Sequence, residues 1–376
     1  MLARRAHGSY GERTMTATSR PRRVMRMISA AKIQLVCTLG PSSLDPDVIR
    51  QLDARGVDLF RINLSHTPLE ALEEQIELVR GHTEVPVSLD TEGAQVRCGR
   101  VVPDLVLVDG AEIHLTADGV EGTRDVLSLR PGSALEALRP GAHLSIDFHG
   151  VVLQVIDSNA SGARALVRRG GRIGSNKAVT IDPTPRLPAL SEKDVRAIAV
   201  GRRLGIAHYA LSFAASGASV RKMRGLIPPN AHLISKIESR AGVRNMDGII
   251  EASDAVLIDR GDLSREIPLE EVPYHQKAIV RRANLWRKPL YVATNLLESM
   301  VLNQLPTVAE MNDIANTLLD GAHGLVLAAE TAIGVDPIGT VDMVRRAITA
   351  FERRQARLGL DDVGGEEGGA EVVALG

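Results

Sequence analysis

The chain is poor in aromatic residues, which make up 2% of its 376 residues, and carries little net charge, formally −1 at pH 7. Scarce aromatic rings leave few platforms on which single-stranded bases could stack. A near-neutral chain gives no basic footprint for a phosphate backbone. We therefore expect no nucleic acid among the partners of this protein.

Cysteine is also scarce, and Cys37 and Cys98 lie too far apart in the sequence for a CxxC motif. The spacing predicts neither a disulfide framework nor a zinc site, and reduced thiols are typical of the cytoplasm. The sequence has no run of the roughly 18 apolar residues that a membrane-spanning helix needs, and residues 1–27 lack the apolar segment of a secretory signal. We expect a soluble, cytoplasmic protein with no membrane partner.

Both ends of the chain lack the apolar periodicity of a folded domain. Residues 1–30 are rich in arginine, and residues 356–376 are rich in glycine and acidic residues. Segments of this composition bury too little apolar surface to become ordered. We predict a disordered extension at 1–30 and a disordered tail at 356–376; whether residues 1–30 belong to the mature protein stays open.

Between these ends, short β-branched runs alternate with segments of helical period, which predicts an α/β fold of parallel strands joined by helices. Eight such strands close naturally into a (β/α)8 TIM barrel, which we predict for residues 31–100 and 186–355. The strand candidates are residues 33–38, 59–63, 85–90, 208–212, 233–237, 255–258, 290–293 and 325–328. Helices are predicted at 45–55, 68–82, 192–204 and 307–320.

The connection between the third and fourth predicted strands is far too long for a simple crossover. Residues 101–185 contain short apolar runs separated by turns, at 105–108, 112–115, 143–146, 151–156 and 165–167. This pattern predicts a small inserted β-barrel lid domain. Loops after barrel strands carry the active sites of TIM barrels, so we expect the insert to cover such a site.

Polar residues follow the predicted strands directly, where a TIM barrel brings them to one mouth. Glu238 and Asp262 follow neighbouring strands and offer the hard oxygen ligands that Mg²⁺ or Mn²⁺ prefers. Lys236, two residues before Glu238, adds a cation that could stabilise a transferring phosphoryl group. The other strand-end candidates are Arg61, Asn63, Ser65, Asp90, Thr91, Asp259, Thr294, Asn295 and Glu330.

Six segments, in order and with matching spacing, resemble the successive motifs of the pyruvate kinase family. They are residues 32–43, 60–66, 89–97, 234–238, 260–263 and 292–295, and the resemblance covers roughly residues 31–350. It implies Mg²⁺-dependent transfer of a phosphoryl group between phosphoenolpyruvate, or a related enol or hydroxy acid, and ADP or ATP. Such a protein is a cytoplasmic glycolytic enzyme.

The resemblance also implies roles for individual residues. Glu238 and Asp262 would hold Mg²⁺, Lys236 would contact the transferring phosphoryl group, and Arg61 would clamp phosphate. Thr294 would lie beside the carbon that is protonated, while the backbone of Gly261 and Asp262 would bind the substrate carboxylate, near Asp259. The remaining implied sites are a K⁺ site at Asn63, Ser65, Asp90 and Thr91, and nucleotide-phosphate contacts at His66, Arg97 and Lys177.

The sequence departs from the family pattern beside the metal ligands. Asp259 stands where the family usually has Ala, and Ser264-Arg265 replaces Gly-Val. An unpaired carboxylate about 4 Å from an anionic substrate would repel it by roughly 4 kcal/mol at an effective dielectric constant of about 20. We expect either a cation to pair Asp259, for which Arg265 is a candidate although an outward direction is simpler for it, or a different substrate.

Other departures concern the K⁺ site and allosteric control. Gln95 and Glu92 replace the Glu and Lys of the family pattern, which leaves K⁺ dependence open. The chain resembles a short, divergent member without the family's C-terminal domain, so we expect no control by sugar phosphates bound there. A metal-dependent lyase or aldolase acting on a pyruvate enolate, and a non-catalytic barrel, stay as alternatives. The true substrate and the oligomeric state, including a homo-oligomer, are open.

Overall fold

Eight parallel strands close into a barrel in the computed structural model of the protein, which describes residues 32–361 apart from 118, 148, 149 and 160. In chain order the described strands are β1 (Gln34–Leu39), β2 (Leu59–Asn63), β3 (Val87–Asp90), β4 (Val96–Cys98), β5 (Val106–Leu107), β6 (Glu112–Ala117), β7 (Val126–Arg130), β8 (His143–Ile146), β9 (Val151–Asn159), β10 (Gly162–Arg169), β11 (Gly171–Arg172), β12 (Ala178–Asp182), β13 (His208–Leu211), β14 (His232–Ile237), β15 (Ala255–Asp259), β16 (Leu290–Ala293) and β17 (Gly324–Leu327). Around the parallel barrel the order is β1, β2, β3, β13, β14, β15, β16 and β17, so neighbours in space follow one another along the chain.

Helices surround this barrel. They are α1 (Pro46–Ala54), α2 (Leu72–Arg80), α3 (Glu192–Arg203), α4 (Gly217–Arg224), α5 (Arg240–Arg244), α6 (Met246–Ala252), α7 (Arg260–Leu263), α8 (Val272–Leu285), α9 (Val308–Leu319), α10 (Ala329–Ala332) and α11 (Pro337–Asp361). Short 3₁₀ turns lie at Leu69–Ala71, Gly132–Ala137, Leu269–Glu271 and Glu298–Val301. Each predicted barrel strand and each predicted helix is present, with ends that differ by a few residues.

The period of two along each barrel strand separates two cores. Val36, Leu59 and Ala210 belong to a buried cluster built from alternate strand positions, which fills the barrel interior. Their neighbours, such as Leu35 and Phe60, belong to a larger cluster shared with the helices. The polar residues at the carboxyl ends of the strands therefore continue the inward-facing positions.

The insert forms a second closed barrel, in the order β10, β6, β7, β4, β12, β8 and β9, with its own buried core. The predicted fold, a TIM barrel with a small inserted β-barrel lid domain, is confirmed. The lid barrel begins at β4, which precedes the predicted boundary at residue 101. Strands β4, β7 and β12 escaped prediction because runs of three to five residues give too few periods to separate a strand from a loop.

One carboxylate accepts hydrogen bonds from both segments that connect the TIM barrel to the lid barrel. The Asp194 side chain, at the start of α3, accepts hydrogen bonds from the backbone N–H groups of Glu92 (2.7 Å), Gly93 (3.1 Å) and Ser191 (2.9 Å). Gly93 has φ +71, and a Cβ there would lie 2.5 Å from the carbonyl oxygen of Ser212, so this crossing requires glycine. The outgoing and the returning chain are thus held at one point of the barrel rim.

The predicted disordered extension at 1–30 lies outside the described residues. The predicted tail begins too early, because α11 continues to Asp361, and the rest of that tail also lies outside the described residues. Cys37 and Cys98 are buried free thiols. Across the described part of the chain, no helix combines the length and the apolar character that a bilayer span requires.

Candidate active site

Most of the predicted site residues line one cavity of about 810 Å³ at the carboxyl ends of the barrel strands, whereas Glu238, Asp90 and Thr91 are buried and do not line it. Arg61, Lys236 and Asp262 line it from the barrel. Asn176 and Lys177 line it from the lid, where Asn176 Nδ2 also donates a hydrogen bond to the Ser65 carbonyl oxygen at 3.3 Å. The sequence-predicted cluster is therefore brought together, and the insert forms one wall of it.

Lys236 is the buried cation at the centre of this site, with 5% of its surface exposed. Its Nζ lies 3.1 Å from a Glu238 oxygen and 3.5 Å from oxygens of Asp90 and Asp259, and it donates a hydrogen bond to Ser212 Oγ at 3.2 Å. Burial alone would lower the pKa of Lys236, but the three carboxylates outweigh it and hold the pKa above its ordinary value. Lys236 is therefore charged when the protein is folded.

Arg61 is held beside Lys236 by polar contacts on both sides. Its Nη1 lies 3.2 Å from an Asp90 oxygen, and its Nε donates a hydrogen bond to Thr38 Oγ1 at 2.8 Å. Thr38 is anchored in turn to the Leu327 carbonyl oxygen, at 2.8 Å. These contacts fix the Arg61 guanidinium beside the Lys236 ammonium at the floor of the cavity, where a phosphate would find two cations together.

Three carboxylates, Glu238, Asp259 and Asp262, lie close enough that one oxygen from each falls within 4.8 Å of the others. Glu238 is fully buried; its Oε1 accepts the Phe213 N–H at 2.7 Å, whereas its Oε2 receives no hydrogen bond from the described residues. Burial raises the pKa of Glu238, and the carboxylates of Asp262 and Asp259 raise it further against the effect of Lys236. The donor set of hard oxygens, including the buried Oε2 that faces Lys236 without a hydrogen bond, fits Mg²⁺ or Mn²⁺.

Asp259 is paired, so the repulsion calculated for an unpaired carboxylate does not arise. Its cation is Lys236, and it accepts hydrogen bonds from Thr294 Oγ1 at 3.1 Å and from the Asp262 N–H at 3.4 Å. Burial would raise the pKa of Asp259, but Lys236 and next Arg61 outweigh burial and lower it. The outward direction expected for Arg265 is wrong: its side chain is 16% exposed and its Nη1 lies 3.1 Å from Asp262 Oδ1.

Thr294 has φ +67, a left-handed conformation that is costly for a β-branched residue. Arg260 holds it there, because Nε and Nη2 both donate hydrogen bonds to the Thr294 carbonyl oxygen, at 3.0 and 2.7 Å. The Gly261 N–H donates to Thr294 Oγ1 at 2.8 Å. The hydroxyl is thereby fixed at the cavity wall, and the Gly261 and Asp262 amides predicted to bind a carboxylate are bonded to Thr294 and Asp259.

The predicted nucleotide-phosphate residues His66, Arg97 and Lys177 all line the cavity on its lid side. Arg97 Nη1 donates a hydrogen bond to the Asn176 carbonyl oxygen at 2.9 Å, and Lys177 Nζ lies 3.0 Å from an Asp147 oxygen. Burial lowers the pKa of His66, and the charges of Arg97, Lys193 and Lys177 lower it further. This corner of the cavity is therefore rich in positive charge, as phosphate binding requires.

The four residues predicted as a K⁺ site are divided between the cavity wall and the layer beneath it. Asn63 and Ser65 line the cavity, and Asn63 Oδ1 accepts the Ser65 N–H at 2.9 Å. Asp90 and Thr91 are buried; Asp90 is paired with Arg61, and Thr91 Oγ1 accepts the Ser212 N–H at 2.9 Å. All four carry side-chain oxygens that could bind K⁺, but Asp90 already faces the Arg61 guanidinium.

Sequence reasoning missed several residues that position the predicted ones. Ser212 bridges Asp90 and Lys236, Phe213 donates its N–H to Glu238, and Arg260 supports Thr294. Arg260 is itself fixed by Asp313 on α9, with Nη1 to Oδ2 at 2.7 Å. Ser212 is the last residue of the predicted strand 208–212 and Phe213 directly follows it, and that position was the available signal; no local pattern points to Asp313.

Comparisons with known proteins agree with this geometry. The family model described as pyruvate kinase, barrel domain, matches residues 30–341. The chain is similar to the pyruvate kinases of Corynebacterium efficiens (35% identity over 331 residues, 85% of this chain and 70% of the relative) and Methylorubrum extorquens (35% over 334 residues, 87% and 70%). It is also similar to that of Thermotoga maritima, with 32% identity over 332 residues, 85% of this chain and 71% of the relative. The chain belongs to the pyruvate kinase family.

Proposed function

We propose that this chain transfers a phosphoryl group between phosphoenolpyruvate and a nucleotide, with Glu238 and Asp262 as ligands of a divalent cation. The observation that carries the proposal is Lys236, a buried and charged ammonium beside Arg61 and a carboxylate cluster at the mouth of the barrel. Phosphoryl transfer depends mainly on positioning and on compensation of charge, which this arrangement offers. A divalent cation supplies further neutralisation of phosphate charge when it is bound.

Each side chain has a defined task in this reaction. Arg61 binds phosphate oxygens, and Lys236 stabilises the charge of the phosphoryl group as it moves from the enol oxygen to a terminal phosphate oxygen of ADP. The Thr294 hydroxyl holds a proton next to the carbon of the enolate, which takes up a proton to give pyruvate. His66, Arg97 and Lys177 bind the phosphates of the nucleotide across the cleft between barrel and lid.

Binding of the substrate carboxylate involves an exchange of hydrogen bonds. The amides of Gly261 and Asp262 donate to Thr294 Oγ1 and Asp259 Oδ1, the second bond being long at 3.4 Å. The substrate carboxylate would take these donors, and Thr294 Oγ1 would be released toward the substrate carbon. Substrate binding and readiness of the proton donor are thus coupled at one position.

A monovalent cation is the least supported part of the proposal. Asn63, Ser65, Asp90 and Thr91 offer oxygen donors, and K⁺ would compete with Arg61 for Asp90. Replacing K⁺ by tetramethylammonium in an assay of phosphoryl transfer tests this site. A rate that does not change would exclude K⁺ from the reaction.

The experiment for the whole proposal is a ³¹P NMR time course with phosphoenolpyruvate, ADP, Mg²⁺ and K⁺. ATP should appear with the unaltered protein and not with the Lys236→Met variant. Absence of ATP with a folded protein that still binds divalent cations would overturn the proposed substrate pair.

A further inference from the structure

We propose that Asp259 is a third carboxylate ligand of the divalent cation, in addition to Glu238 and Asp262. The inference deepens the proposed function, because it rests on the use of this site by a metal. It adds a ligand at a position where the family motif usually has Ala, which cannot coordinate.

Position along β15 places Asp259 at the site. Ala255 and Leu257 belong to the cluster that fills the barrel interior, so two residues further the Asp259 side chain also faces inward. It is 5% exposed, and one of its oxygens lies within 4.8 Å of ligand oxygens from Glu238 and Asp262. A single cation can therefore reach all three carboxylates.

A buried atom without a hydrogen bond points to the missing ligand. Glu238 Oε2 receives no hydrogen bond from the described residues, although Lys236 Nζ lies 3.1 Å away, and Glu238 is fully buried. Buried carboxylate oxygens are normally satisfied by donors or by metals. A divalent cation shared with Asp259 and Asp262 would give Glu238 Oε2 a further partner besides Lys236.

The second departure from the family motif explains why a third carboxylate is useful. Arg265, which stands where the family usually has Val, has its Nη1 3.1 Å from Asp262 Oδ1 and so neutralises part of a predicted metal ligand. A metal must compete with this guanidinium for Asp262. Asp259 restores the negative charge that Arg265 removes, so the two departures compensate one another.

The test is a titration of the full chain with Mn²⁺, without substrate or nucleotide, in which electron paramagnetic resonance measures free Mn²⁺. Asp259→Asn keeps the shape of the side chain and an oxygen that can accept the Asp262 N–H, but removes the charge. We expect it to weaken Mn²⁺ binding by about tenfold or more, where each tenfold corresponds to about 1.4 kcal/mol. Asp254→Asn, which removes a carboxylate just before the other end of the same strand, is the matched control and should change the dissociation constant by less than about twofold.

Asp259 could also act through Lys236 rather than on the metal, and a double-mutant cycle separates the two roles. In the Lys236→Met background, Asp259→Asn should still weaken Mn²⁺ binding by about tenfold if Asp259 is a ligand. Loss of this effect in that background would make Asp259 a positioning residue for Lys236 and overturn the inference.

The failure of this inference differs from the failure of the proposed function. If Glu238→Gln and Asp262→Asn abolish Mn²⁺ binding while Asp259→Asn leaves it unchanged, the metal site stands and the third ligand is refuted. If Asp259→Asn weakens Mn²⁺ binding but no ATP forms in the NMR experiment, the third ligand stands and the substrate assignment falls. Thermal unfolding of each variant, compared with the unaltered protein, tests whether the barrel is still folded.

Discussion

Replacing Lys236 by methionine tests the electrostatics of the site without any ligand. The change removes the ammonium that lies within 3.5 Å of Asp90, Glu238 and Asp259, and leaves three buried carboxylates with Arg61 as a nearby cation. Removing one partner of a buried ion pair typically costs about 3–5 kcal/mol. We expect a loss of stability of this size near neutral pH.

The loss should depend on pH, and its sign follows from Glu238. Its pKa is already raised in the folded protein, and loss of Lys236, which lowers that pKa, raises it further. An acid whose pKa is higher in the folded state destabilises the fold above its unfolded pKa, and this penalty is relieved as the pH falls. The variant should therefore lose less stability at about pH 5.5 than at about pH 8. In the unaltered protein Lys236 has a raised pKa, so its contribution is constant over this interval.

Thermal unfolding in EDTA, followed by circular dichroism at both pH values, measures the effect. At about 2 °C per kcal/mol for a chain of this size, the variant should unfold about 6–10 °C below the unaltered protein at the higher pH. Lys277→Met is the control, because Lys277 is 50% exposed in its ion pair with Asp320 and should contribute less than about 1 kcal/mol at either pH. A Lys236→Met variant that unfolds within about 2 °C of the unaltered protein, or that shows the same difference at both pH values, would refute the reasoning.

Three further predictions concern other contacts of the site and the lid. Glu238→Gln should not lower the stability of the metal-free protein, because it removes a carboxylate whose pKa is raised by burial. The variant should no longer show a rise in unfolding temperature when Mg²⁺ is added, and scanning calorimetry with and without Mg²⁺ checks both expectations. Asp194→Ala removes the acceptor of three backbone N–H groups and should lower the free energy of unfolding by about 3 kcal/mol or more, and Asp194→Asn should lower it by less. Urea titration measures both variants, and equal midpoints for the unaltered protein and the two variants would contradict this prediction. Asn176→Gly keeps a backbone suited to φ +60 but loses the side-chain hydrogen bond to the barrel. The Michaelis constant for the nucleotide should therefore rise by about threefold to tenfold with little change in the turnover number, and a change in the turnover number alone would argue against a role of this contact in lid closure.

The barrel and the direction of its polar side chains could be predicted because both follow from the period of two. Lys236 on β14 and Glu238 just after its end are two residues apart, so they share the inward face, and Asp259 follows Leu257 in the same way on β15. Closure of eight strands then brings the strand ends together, although more than 230 residues separate Arg61 from Thr294 in the sequence.

Contacts that depend on the register between elements could not be predicted. The pairing of Asp259 with Lys236 requires the alignment of β14 with β15, in which Lys236 lies opposite Leu257. Arg265 follows the short helix α7, beyond any strand period that would fix its direction, and the expectation for it was wrong. The support of Arg260 by Asp313 joins residues 53 positions apart through tertiary packing alone.

The carboxylate of Asp194 has a mechanical consequence for the lid. Because it fastens the outgoing chain at Glu92 and Gly93 to the returning chain at Ser191, the two connections cannot slide past each other. A translation of the lid along the barrel rim would have to break these three hydrogen bonds, whereas a rotation about Asp194 would keep them.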